Sequence, residues 1–191
     1  MRSAMMLAAL AACGGGHAAA TFQGTVKGQS FAPTEAISSP ATAHFSVGTA
    51  GVAAIVLGDS GGLCAKVTAN TEPKNGKALV VLLTDVNLAT LSGNAPTGVG
   101  TYAIYDFSGG TPPVHLAYVS FGVNDASCVQ DPSRSATGKS GAVTITRNSG
   151  GTYAGAFDVT FDSGDRVTGS FDTAACTGLQ TFLGSATHGC G

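Results

Sequence analysis

The chain has 191 residues, a net charge of −2 and only 10% charged residues, against the quarter or so that is usual for soluble domains. It contains no basic run that would serve a nucleic acid and no acidic block, and it is long enough for one domain with a real core. Glycine is abundant at 28 residues, about twice the ordinary 7% share, and together with ample Val, Thr and Phe it indicates a β-rich exported domain; the absence of tryptophan weakens any carbohydrate-platform reading.

The chain opens with Arg2, then an apolar run from Ala4 to Ala12, then Cys13 and three glycines. A charged start, a short apolar stretch and small residues have the pattern of a secretory signal. The run is too short for a bilayer-spanning helix, which needs about 20 residues. Leu10-Ala11-Ala12-Cys13 resembles the lipobox of bacterial lipoproteins. That resemblance implies cleavage before Cys13, a diacylglycerol on its sulfur and acylation of the new amine. It divides the chain into a signal at 1–12, a lipidated flexible tether at 13–20 and a single β-rich domain at 21–191. Gly14, rather than Asp, after the cysteine implies the outer membrane of a two-membrane cell. The tether's eight residues reach at most about 28 Å. The competing reading is an ordinary secretory signal cut near Ala18-Ala19-Ala20, with Cys13 discarded.

Thr21–Val26 is the first expected strand. Ala43–Val47 and Ala50–Leu57 supply the next two. "GDSGG" at 58–62 follows. These five letters also surround the nucleophile of the trypsin-like serine proteases. That mechanism needs a histidine to take the serine proton and a carboxylate to orient it. Only His17 and His44 precede Ser60, with only Glu35 and Asp59 as acids, and no barrel fits in the short segment between His44 and Ser60. The stretch reads instead as a strand-to-helix turn. Asp59 or Ser60 would cap a short helix near 61–70 on which Leu63 and Val67 recur at helical spacing.

Lys77–Asp85 is a continuous apolar run, as in a strand covered on both faces. Thr101–Phe107 and Val114–Phe121 are two further strands joined through "GGTPP". The last third has the clearest pattern. Val143 and Ile145, then Tyr153, Phe157, Val159 and Phe161, then Val167 and Phe171 alternate with polar or small residues, and "NSGG" and "DSGD" mark the turns. This predicts a three-stranded antiparallel meander with one buried face. The fold class is therefore all-β: a single antiparallel β-sandwich or closed barrel of eight to nine strands with one short helix.

Besides Cys13 there are four cysteines, at 64, 128, 176 and 190. Outside the cytoplasm an even count implies two disulfides, with three possible connectivities. Cys64–Cys128 and Cys176–Cys190 are favoured, the second because it would pin the C-terminal tail. No CxxC pair, EF-hand spacing or histidine-ligand spacing is present. Asp158, Asp162, Asp165 and Asp172 therefore read as strand-face and turn residues, and His115 as a packed or rim histidine. Neither a metal nor another cofactor is expected. Three functions remain: a noncatalytic envelope module facing a protein partner, a lipocalin-like carrier with an apolar ligand in its interior, and an enzyme of unidentified type. The sequence offers no acid, base and nucleophile set for the last.

Overall fold

A computed structural model describes residues 19–45, 48–90 and 92–191; Cys13 and the lipobox lie outside them. The chain enters at β1 (Ala19–Gln23), makes the small ribbon β2 (Thr25–Val26) and β3 (Gln29–Ser30), and continues into β4 (Glu35–Phe45) and β5 (Gly48–Gly58). Helix α1 (Leu63–Thr68) and β6 (Thr71–Glu72) precede β7 (Lys77–Asn87), β8 (Ser92–Asn94), β9 (Gly100–Ile104) and β10 (His115–Val123). Then come β11 (Ala136–Ser149), β12 (Thr152–Phe161), β13 (Arg166–Asp172), β14 (Ala174–Ala175), α2 (Gly178–Gly184) and β15 (Gly189–Cys190).

One sheet dominates, in the order β1-β13-β12-β11-β9-β10-β7-β5-β4-β14, with β8 beside β7. It curls into a half-barrel, neither a closed barrel nor a clear sandwich. It is also mixed, because β9 runs parallel to β10 and β14 parallel to β4. The purely antiparallel expectation fails for a physical reason. β9 stops at Ile104, the connection 105–114 returns to the rim, and β10 starts again in the same direction as β9.

The predicted meander is present as β11–β12–β13. Its alternating side chains join those of β5, β7 and β10 in one buried cluster that includes Ile55, Leu79, Phe121, Val143, Phe157 and Phe171. Residues from both halves of the sheet order share this cluster, so it marks the concave, inner face. Gly155 sits opposite Phe171, and Gly169 opposite Phe157. A Cβ at Gly155 would collide with Thr144 O and crowd the Phe171 ring, and one at Gly169 would collide with Thr21 O and the Phe157 ring, so these glycines let both the neighbouring strand and the ring approach closely. The β2–β3 ribbon closes one end of the curl with Val26 and Phe31, the latter 5.6 Å from the Phe121 ring.

β7 is covered on both faces, as its continuous apolar run predicts. Leu79, Val81 and Leu83 enter the inner cluster, while Ala78, Val80 and Leu82 face an outer one. That outer cluster lies under α1 and α2, with Val52, Ala54, Val56, Leu63, Val67 and Leu179 at its centre. β4 begins at Glu35, eight residues before the expected 43–47, of which 46 and 47 lie outside the described residues; Pro40 interrupts the apolar pattern that would have marked its earlier part. A proline without an amide hydrogen is tolerated there, since β4 meets a second neighbour only where Ile37 and Ser38 pair with β14.

The favoured cysteine pairing is overturned. Cys64 bonds Cys176, and Cys128 bonds Cys190. α1 and α2 stack against the same strands, which brings the start of each helix together with Cα atoms 5.7 Å apart. The tail then returns as β15 to pair with β6, and Cys190 there reaches the loop after β10.

Candidate functional site

Large buried side chains pack the inner face, and two pockets lie on the outer face. Register places them. Side chains at Thr84 and Val86 on β7 and Leu116 on β10 point outward, in step with Val80 and Leu82. With Ala50, Gly93, Tyr105 and Phe107 they line an apolar pocket of about 350 Å³, within the range of small-ligand sites. Gly93 is needed for the wall: a Cβ there would lie 2.7 Å from that of Ala50 and against Thr84 Oγ1. Thr84 Oγ1 donates to Gly51 O at 2.9 Å, which ties β7 to β5 beside the pocket.

The connection after β9 forms the other wall. Tyr105 donates its hydroxyl to the carbonyls of Gly109 and Gly110, at 3.1 and 2.9 Å. Asp106 accepts from the amide and hydroxyl of Ser108, and these bonds hold its carboxyl below the usual carboxylate range. Between them Phe107 adopts φ 58°, a left-handed conformation that is costly for an aromatic residue. Its ring packs edge-on to Tyr105 at 5.0 Å and reaches Tyr118 at 6.2 Å. Side-chain packing thus holds the backbone where local preference would not.

A second pocket of about 200 Å³ lies between the helices and the same outer face, lined by Val56, Val80, Ser120, Leu179 and Phe182, with Ser60, Glu72 and Gln130 as polar neighbours. Val80 and Ser120 are paired, as are Thr84 and Leu116 in the first pocket. Only the row Ala54–Leu82–Tyr118 separates the two.

The GDSGG turn occurs where expected, but its chemistry differs from the expectation. α1 begins at Leu63, and Gly62, not Asp59 or Ser60, is its N-cap. The free amides of Gly62 and Leu63 donate to the carboxylate of Glu35, on β4, with Gly62 N at 3.0 Å from Oε1. Asp59 instead accepts from the amide of Lys77 at 2.9 Å, fastening β5 to β7. Ser60 Oγ is buried and has no hydrogen-bond partner. The histidines among the described residues engage other groups: His44 with Thr49, His115 with Asp85 and His188 with Asn70.

Sequence reasoning missed a cluster at the mouth of the inner core. His115 Nδ1 lies 2.8 Å from Asp85 Oδ1 across the β7–β10 ladder. The buried Tyr102 hydroxyl also bonds Asp85, and burial followed by that carboxylate raises its pKa well above the usual tyrosine value. The separation of 30 residues between Asp85 and His115 carries no motif, so only strand register could have revealed the pair. His115 is the rim histidine that the sequence suggests, 56% exposed at its side chain. The four aspartates of the last third lie on strand faces and turns and bond neighbouring segments. Arg166 clamps Asp158, Arg147 clamps Asp172, Asp165 accepts from the Lys27 amide, and Asp162 accepts from the amide of Thr137.

No family model, no curated protein and no solved structure matches the chain.

Proposed function

We propose that the protein is a cell-envelope lipoprotein, anchored at the outer membrane through Cys13, whose β-domain is a noncatalytic binding module. The observation that carries this reading is the apolar outer-face pocket at Tyr105 and Phe107, on the other side of the sheet from a closely packed inner cluster. That packing gives no support to a lipocalin-like ligand inside the curled sheet, and the binding surface is the outer face. Its ligand is small and apolar. Display of this face to a protein partner is the second reading, favoured by the other pocket one row away along the same strands.

Two observations support the anchor. Ala19 and Ala20 pair with Asp172 and Phe171 in the sheet; a cut before Thr21 would remove both, while a cut before Cys13 keeps β1 whole. The two disulfides also suit an oxidising compartment. Mass spectrometry of the mature N-terminal peptide tests the anchor: a lipid-bearing Cys13 is expected, and an unmodified chain starting at Thr21 rejects it. Nile red, a neutral apolar dye, tests the pocket. Saturable binding at one site is expected, with affinity falling about tenfold in Phe107→Ala, the loss for one well-placed ring, and unchanged in Phe182→Ala. Indifference to Phe107→Ala rejects the pocket.

A further inference from the structure

We infer that the rim of the half-barrel from which β1 emerges rests on the lipid surface, with Leu88, Val99 and Val114 entering it. This rests on the anchoring of Cys13 proposed above and adds an orientation that the anchor alone does not impose.

Strand directions define the rim. Ala19 opposes Asp172, and Asp172 opposes Ala154, so β1 starts where β13 ends and β12 begins. At that same end β7 finishes at Asn87, β9 starts at Gly100 and β10 starts at His115 opposite Asp85. The joining segments carry the exposed apolar groups. Leu88 follows β7 and is 44% exposed, Val99 precedes β9 at 66%, and Val114 precedes β10 at 51%. Among the described residues only one other large hydrophobic residue is so exposed, Val129 at 62%, and it lies at the opposite end, beyond β10. The rim segments are also held in place. Val86 donates its amide to Val114 O at 2.7 Å, and Asn148 donates from Nδ2 to Pro96 O at 2.8 Å.

Charge follows the same polarity. None of the five lysines lies in these rim segments. At the rim Arg147 pairs with Asp172, and Asp85 is hydrogen-bonded to His115. The far end carries Lys27, Lys74, Lys77, Asp131, Asp165 and Arg166. One end therefore suits contact with hydrocarbon and headgroups, and the other suits water.

The anchor reaches the correct end. Six residue steps separate Cys13 from Ala19, at most about 22 Å of extended chain. A lipid at Cys13 therefore holds the rim within that distance of the bilayer and raises the local concentration of the three side chains at its surface. With no rim lysine, the contact is apolar and does not need anionic lipid. The pocket at Tyr105 and Phe107 sits on the outer face at this end, within reach of apolar molecules dissolved in the membrane.

The chain has no tryptophan, so one introduced indole is a unique reporter. Val99→Trp and, separately, Val114→Trp are made in the full lipidated protein and reconstituted into phosphatidylcholine vesicles with or without bromine on the acyl chains. Val129→Trp is the control. At least twofold quenching by brominated lipid is expected at positions 99 and 114, unchanged by 0.5 M salt, with none at 129. The N-terminal peptide mass is read on the same samples. Lipid present with no quenching at 99 and 114 overturns the rim contact alone and leaves the rim as a surface for protein; equal quenching at all three positions overturns the orientation. Absence of lipid overturns the anchor and the rim contact with it.

Discussion

The two faces of the sheet are stabilised differently. The inner face is packed with large rings and branched side chains: Phe121, Phe161, Leu57 and Leu79 are fully buried, and none of the four described cysteines takes part. The outer face over β4 and β5 uses Ala41, Val52, Ala54 and Val56, covered by helices of six and seven residues. Helices this short are not stable by themselves in water. Cys64–Cys176 lies in this outer layer, and Cys128–Cys190 ties the tail strand β15 to the loop after β10. Burial across a curled sheet suffices where fourteen- and ten-residue strands meet; a layer of short elements needs covalent ties.

The sharpest break in this comparison is Phe121→Ala. Removing a fully buried ring at the centre of the inner cluster should cost about 3–5 kcal/mol, read as a large fall in the denaturation midpoint of the whole domain. A loss confined to the outer layer would contradict the idea that the inner face supplies global stability.

The joint variant Cys64→Ser/Cys176→Ser should come next. The bridge spans a sequence separation of 112, worth up to about 4–5 kcal/mol on the chain-entropy estimate. Hydrogen exchange should rise first in α1 and α2, while β11–β13 stay protected. Uniform loss of protection would show that the two layers unfold as one.

Glu35→Ala should cost about 1–2 kcal/mol, the range for a lost helix cap, since α1 has no side-chain cap of its own. The effect is measured by urea denaturation. Glu35→Gln should restore part of it, because the amide oxygen can still accept.

Ser60→Ala should be the smallest change, within about 0.5 kcal/mol of the parent and of either sign. The buried hydroxyl has no partner to lose. A fall of more than 1 kcal/mol in the same urea experiment would mean that Ser60 has a partner or capping role after all. Rapid labelling of Ser60 by a fluorophosphonate probe would revive the protease reading.

The sequence by itself determined the all-β class, the meander and the doubly covered strand, expected at 77–85 and observed as Lys77–Asn87. In each case the signal is local: alternation in β12 and β13, a continuous apolar run in β7, and glycine-rich turns between them. It also placed a turn at GDSGG and a helix directly after it. The tertiary structure decided what depends on distant parts of the chain. Glu35, and not Asp59 or Ser60, caps α1 because β4 pairs with β5 and brings that carboxylate to the helix start. Cys64 meets Cys176 because α1 and α2 cover the same strands. Asp85 meets His115, and Leu116 meets Thr84 in the pocket wall, only through the register of β7 against β10. Such pairings are set by which strands neighbour one another, and strand neighbourhood is fixed by burial over the whole sheet, for which no short stretch of sequence holds the information.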